Sequence, residues 1–158
     1  MSATRAWVTV AATDLDTYLT GLKTDALRTA ALADNQPDPF LAASVDVIER
    51  IRNKVKSARG TTVSATANTI PPELKTAACW LILEAMNARI GLSRSIQLTE
   101  DQKELIRKAE KDLDAIVKGD LVVSAPTDPE AVNVQSGGNI KVVRSSTRVY
   151  TRDAMNGL

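Results

Sequence analysis

A chain of 158 residues with 44% apolar but only 3% aromatic side chains must build a single core from Ala, Leu, Ile and Val, which favours close helix packing over a large ligand cavity. Its formal net charge of +1 gives no global attraction to nucleic acid or acidic membranes, so any charged partner is met by a local patch. With no histidine and one cysteine, Cys79, the sequence excludes histidine triads, histidine metal sites and an internal disulfide framework.

In chain order, residues 1–12 carry no strong period, although Trp7, Val8 and Val10 suit a short edge strand or an extended lead-in. They also make a poor signal peptide, with Arg5 followed only by a short apolar patch, Trp7 to Ala12, that Thr9 breaks. Thr13 is placed to cap a short helix, with Asp14 and Asp16 at the positive end of its dipole and Leu15, Tyr18, Leu19 and Leu22 on its buried side. Gly21 weakens or ends that helix. Thr24 then opens a second one over residues 25–32, stopped by the turn cluster at 34–38. Asp38 before Pro39 marks the start of a longer helix, in which Phe40, Leu41, Val45, Ile48, Ile51 and Val55 recur at three- and four-residue steps as far as Gly60.

The last turns of that helix carry Arg50, Arg52, Lys54, Lys56 and Arg59, against Asp46 and Glu49 upstream. Such a run either faces DNA, a channel or a partner's acidic rim, or it complements the negative end of the helix dipole and solvates the outer surface. The second use is the commoner one. Residues 61–69, rich in Thr, Ser and Ala, read as an exposed and mobile loop.

Residues 70–91 form the element that organises the rest. Pro71 and Pro72 suit a helical first turn and Gly91 a left-handed cap. Between them Leu74, Ala77, Ala78, Leu81, Ala85 and Ala88 make one apolar stripe, which Cys79, Trp80, Ile82, Leu83, Met86 and Ile90 widen around much of the cylinder. A helix so apolar must be covered on several sides. Its longest unbroken apolar run, residues 77–83, is far short of the ~20 residues that span a bilayer, so a soluble protein made in a cytoplasm is expected. After a short connection, Thr99 and Gln102 form a capping box for a helix whose buried face is Leu105, Ile106, Ala109, Leu113, Ile116 and Val117, with Glu104 and Lys108 as an i,i+4 pair and Gly119 as its stop.

Pro126 and Pro129 forbid a regular helix beyond that point, so the compact domain is expected to end near Ser124. Residues 131–135 and 140–144 flank Ser136, Gly137, Gly138 and Asn139, which reads as a β-hairpin or a hinge between two extended pieces. From Ser136 onward Lys141, Arg144, Arg148 and Arg152 face Asp153 alone, making a locally basic arm. The expected fold is mainly α: a small helical bundle, residues 1–124, around a central apolar helix, followed by an extended C-terminal arm or β-hairpin, residues 125–158.

Catalytic chemistry is hard to place in this chain. Asp14 with Asp16 and Asp112 with Asp114 stand two residues apart, which points them to different sides of a helix. Gly137-Gly138 lacks the spacing and the following helix of a phosphate loop, and Cys79 sits among apolar neighbours that disfavour a thiolate. The expectation is a protein that is not an enzyme and takes no cofactor or metal.

The order of parts resembles the head-to-tail adaptor, or connector, proteins of tailed bacteriophages, in particular the Mu-like group. The likeness is carried by Asp14-Leu15-Asp16-Thr17-Tyr18-Leu19, by Ile70-Pro71-Pro72-Glu73-Leu74-Lys75 with the apolar helix behind it, by residues 113–126, and by the ending Arg148-Val149-Tyr150-Thr151-Arg152-Asp153. It implies a structural protein of the virion neck, made in the host cytoplasm. Such a protein forms a homo-oligomeric ring, a dodecamer, between portal and tail, extends the DNA channel, meets the next neck or tail completion protein, and lies near genomic DNA without a membrane. Adaptors differ greatly in their loops and arms, so contacts are assigned from this chain's own residues. The arm's Ile140, Val142, Arg144, Arg148, Tyr150, Arg152, Met155 and Leu158 are the candidate partner interface, by strand addition and charge pairing. Arg50, Arg52, Lys54, Lys56 and Arg59 are the candidate DNA- or channel-facing group. A small helical DNA-binding or regulatory module, using that same basic face, is the alternative.

Overall fold

The structure, a computed structural model, describes residues 3–30, 37–58, 61–89 and 97–130. Ile70 precedes a proline, which disfavours helical backbone, and it pairs instead with Val8 in an isolated antiparallel bridge with two 2.9 Å hydrogen bonds. The central helix therefore begins later than its apolar pattern suggests. Pro71 is extended, Pro72–Leu74 makes a 3-10 turn, and the α-helix α4 follows over Lys75–Arg89. Seven consecutive residues of α4, from Ala77 to Leu83, are buried, so it is covered all round.

Two long helices supply most of that cover. α3, Pro39–Ser57, starts where the Asp38-Pro39 signal places it: one Asp38 oxygen accepts the Phe40 amide at 2.9 Å and the other accepts the Arg28 guanidinium. α5, Glu100–Lys118, has the expected capping box, with Thr99 and Gln102 exchanging side-chain and backbone hydrogen bonds, and it closes on Gly119 at φ 85°. α3, α4 and α5 pack pairwise against one another, while α1, Ala12–Leu15, and α2, Gly21–Ala30, lie against α4. The mainly helical bundle around a central apolar helix is the observed architecture.

The N-terminal helices start elsewhere than expected. Thr13 is not the cap of α1; Ala11 takes that position and its amide donates to the Asp14 carboxylate at 2.8 Å. Gly21 opens α2 instead of ending a helix, and Thr24 lies inside it, 2% exposed, with a hydroxyl that has no hydrogen-bond partner. An unmet buried hydroxyl is costly, whereas an apolar group of the same shape is not. Thr24→Val is therefore expected to stabilise by about 1 kcal/mol, raising the melting temperature by roughly 2–4 °C in a chain of this size. A lower melting temperature in a thermal scan would mean that the hydroxyl is satisfied.

The helix periodicity overstates the buried faces. Leu41 and Val45 on α3 are 59% and 42% exposed, and Leu105 and Val117 on α5 are 42% and 40% exposed. A stripe of apolar residues wider than the neighbouring helix leaves its margins in water.

The body also continues past Ser124. β1, Thr4–Arg5, pairs in parallel with β2, Ala125–Pro126, in the register Thr4 to Ala125 and Arg5 to Pro126. Trp7 is buried beside this joint and its indole donates to the Ser124 carbonyl at 3.1 Å. Ser64 then bridges Pro129 in antiparallel fashion, and the Glu130 amide donates to the Val63 carbonyl at 2.7 Å. Residues 125–130, assigned to the arm by their prolines, are thus hydrogen-bonded to the helical body. Gly91 and residues 131–158, with the hairpin-or-strap question and every candidate interface residue of the arm, lie outside the described residues.

Candidate interaction surface

Three of the four stretches that carry the adaptor resemblance meet at the start of α4. Lys75 pairs with Asp14 at 2.8 Å, and the Tyr18 hydroxyl donates to the Thr76 hydroxyl at 2.9 Å while its ring packs 5.4 Å from Trp80. Glu73 accepts the Ser124 hydroxyl, which sits one residue before β2. These contacts tie the N-terminal segment, the head of the central helix and the end of α5 into one joint. The fourth stretch, 148–153, lies outside the described residues.

The basic run of α3 is spent mostly inside the molecule. Arg50 pairs with Glu110 at 2.5 Å and Lys54 with Asp114 at 2.6 Å, both across to α5, while Lys56 lies 3.4 Å from Glu130. Exposed pairs of this kind are each worth only about 0–1 kcal/mol, but they remove free positive charge from the face. Arg52 turns inward. It donates to the carbonyls of Ser64 at 2.7 Å, Thr69 at 2.9 Å and Thr66 at 3.2 Å, and its guanidinium lies 5.6 Å from the centre of the Trp7 ring. Arg59 lies outside the described residues.

Arg52 changes the reading of residues 61–69. Val63, Ser64 and Thr69 are buried, and residues 65–68 are exposed. Asp128 holds the loop from the other side, accepting the hydroxyls of Ser64 at 2.8 Å and Thr66 at 2.6 Å and the Thr66 amide at 3.2 Å. Asp128 was invisible as a structural residue because the prolines around it read as the start of an arm. An aspartate before a proline is a turn signal, but it does not say which loop the turn will meet.

The carboxylates at these joints titrate low. Burial raises the Asp14, Asp38 and Glu73 values, but hydrogen bonds from Lys75, Arg28 and Ser124 respectively outweigh it; the Thr66 and Ser64 hydroxyls lower Asp128. A carboxylate whose folded value is depressed contributes stability above its unfolded value and loses it as pH falls through the folded one. With ordinary values of 3.8 for Asp and 4.5 for Glu, the urea midpoint should decline as the solution is acidified below about pH 4. Asp128→Asn should flatten that decline. An equal decline in the variant would remove Asp128 from the account.

Besides an open polar groove of about 480 Å³ along Asp46, Arg50 and Lys54 of α3, two clefts of more apolar lining and two apolar patches mark the surface of the described residues. The larger cleft, about 510 Å³, lies between the C-terminal ends of α3 and α5 and is lined by Ala58, Thr61, Thr62, Ile116, Val117 and Val122 among others. The smaller, about 330 Å³, runs between the head of α4 and α5, with Trp80, Leu105 and Leu121 beside Glu73, Lys108 and Asp112. The first patch is Leu41 with Val45 on one side of α3. The second is Val117, Leu121 and Val122, at the C-terminal end of α5 and just beyond it, with Val122 67% exposed, while Leu105 stands about 18 Å up the helix in the smaller cleft. Periodicity could not separate Leu105 and Val117 from the core because they lie on the same stripe, and Leu121 and Val122 stand beyond the Gly119 stop, where helix periodicity does not apply.

Chemical groups are sparse on these surfaces. The Cys79 thiol is buried in α4, and burial pushes its pKa up to about 11, so it is not a nucleophile at neutral pH. Among the described residues no group of three metal-ligating side chains gathers, and no helix is long and apolar enough to cross a membrane. The chain matches no protein-family profile, and no curated protein or solved structure is significantly similar to it.

Proposed function

We propose that this chain is a structural virion protein that forms a ring between the portal and the tail or neck, extends the DNA channel and joins head to tail. The observation that carries the reading is the presence of two separate exposed apolar patches, Leu41 with Val45 on α3 and Val117, Leu121 and Val122 at the C-terminal end of α5 and just beyond it. A closed ring repeats a head-to-tail contact in which one patch of each subunit meets a different patch of the next, and contiguous exposed apolar surface marks such contacts. The joint at the head of α4 adds support, since it links the stretches that carry the adaptor resemblance. The sequence of residues 136–158, with Ile140, Val142, Arg144, Arg148, Tyr150, Arg152, Met155 and Leu158, supplies apolar and cationic groups for the portal or a neighbouring subunit. The DNA-binding alternative loses support, because Arg50, Lys54 and Lys56 are paired with carboxylates and Arg52 holds a loop.

The test is assembly. The full chain, alone and with portal protein, should form rings of one size in native mass spectrometry and negative-stain micrographs. Leu41→Glu with Val45→Glu should abolish those rings, while the subunit keeps its helical circular dichroism and loses about 0.5 kcal/mol or less, as exposed substitutions do. A wild-type chain that stays monomeric in the presence of portal, or rings that survive the double substitution, would overturn the reading.

A further inference from the structure

The large apolar side chains left exposed among the described residues fall into two shapes. Leu41 and Val45 stand one turn apart on the N-terminal half of α3 and make a convex ridge. Val117, Leu121 and Val122 stand around the larger cleft, whose buried lining includes Ala58 and Ile116. One surface projects and the other is hollow, and at about 510 Å³ the hollow lies in the size range that encloses whole small ligands. Leu105 alone belongs to neither.

Ridge and cleft cannot meet within one subunit. Ser57, which lines the cleft, is the last residue of the helix that carries the ridge, roughly 18 Å along its axis from Val45. The helix holds the two apart. A second copy has no such constraint, and when the ridge of one copy enters the cleft of another, each keeps one unfilled surface for the next copy in line.

Charge fits the same contact. Glu49 continues the ridge one turn beyond Val45, is exposed, and pairs with no cation among the described residues, whereas its neighbours Asp46 and Arg50 are held by Arg89 and Glu110. On the cleft side Lys118 is a lining residue. Asp114, one turn before it, is hydrogen-bonded to Lys54 at 2.6 Å and meets Lys118 only at longer range, and Asp120 is not part of the lining. A free carboxylate at the end of the ridge thus has a free ammonium at the cleft to answer it.

We propose that Leu41 and Val45 of one copy fill the cleft between α3 and α5 of the next, with Glu49 of the first paired to Lys118 of the second. The inference rests on the ring reading and deepens it by naming the contact that the ring repeats. The apolar seat supplies the attraction, and the ion pair fixes the register.

Cysteine pairing between copies tests the contact. Cys79 is buried and does not compete. Val45→Cys and Val122→Cys, made separately in the full chain, mixed and oxidised with diamide, should give a disulfide-linked pair with one chain of each kind by mass spectrometry. Either variant alone should stay unlinked, and both cysteines in one chain should give a ladder of many linked chains. Glu49→Lys on the first partner, or Lys118→Glu on the second, should slow linking on the order of tenfold, and the two reversals together should restore it. No linked pair, a pair indifferent to both reversals, or a ladder that stops at two chains overturns the proposal. Rings seen in micrographs without the linked pair would keep the ring reading and place its contact elsewhere, whereas a ladder that never closes into rings of one size would keep the contact and sink the ring.

Discussion

Leu81→Asp is expected to leave the protein unable to fold. Leu81 is 2% exposed in the middle of α4, within the run of seven consecutive buried residues and enclosed by the helices that surround it. The substitution removes apolar packing worth about 2–5 kcal/mol and places a carboxylate where no cation or donor has been provided for it, at a further cost of several kcal/mol. The sum is comparable to the whole stability of a small domain, about 5–15 kcal/mol. Circular dichroism should show loss of helix and the thermal transition should vanish. A cooperative transition at the wild-type temperature would mean that the bundle is not organised around this helix.

The second large effect is expected at Arg52. Its guanidinium serves the carbonyls of Ser64, Thr66 and Thr69 and lies over Trp7, so Arg52→Ala unpairs three acceptors and uncovers an indole at once. Hydrogen bonds to a charged group are worth about 1.5–3 kcal/mol each and do not add fully when they share one donor group, so a loss of ~3 kcal/mol is expected. That corresponds to a fall of roughly 10 °C in melting temperature. Arg52→Lys should recover little, because a single ammonium cannot reproduce a planar fork aimed at three separated carbonyls. The helices should survive in both variants. Full rescue by lysine would reduce Arg52 to an ordinary surface charge.

Arg52 also shows where the sequence stops being legible. Local signals were read well: the Asp38-Pro39 start, the Thr99–Gln102 capping box and the Gly119 stop each depend on residues within one turn of one another. The parallel pairing of Thr4–Arg5 with Ala125–Pro126 depends on residues at opposite ends of the described chain, and two-residue strands are too short to show a period. Arg52 sits in a run of cations that differ in where they point, and only tertiary structure sends one of them inward. The margins of the apolar stripes were misread for a related reason. Periodicity gives the centre of a face, and the width of its cover is set by the neighbour. Of the candidate interaction surface, the basic group was visible and its pairing was not, while the cleft between α3 and α5 arises only when both C-terminal ends are in place.

The joint between Trp7 and Ser124 has a consequence for the order of events as the chain folds. Its two partners are 117 residues apart in sequence, so closing it first would carry the entropy of a very long loop with few contacts in return. The helices, whose contacts are closer along the chain, can assemble before it. The N-terminal strand is then the last piece to dock and, under thermal or mechanical stress, the first to leave. During synthesis the Trp7 indole lacks its Ser124 acceptor until α5 and the residues after it have been made, and Arg52 and the Val8–Ile70 bridge are the partners available to that segment before then.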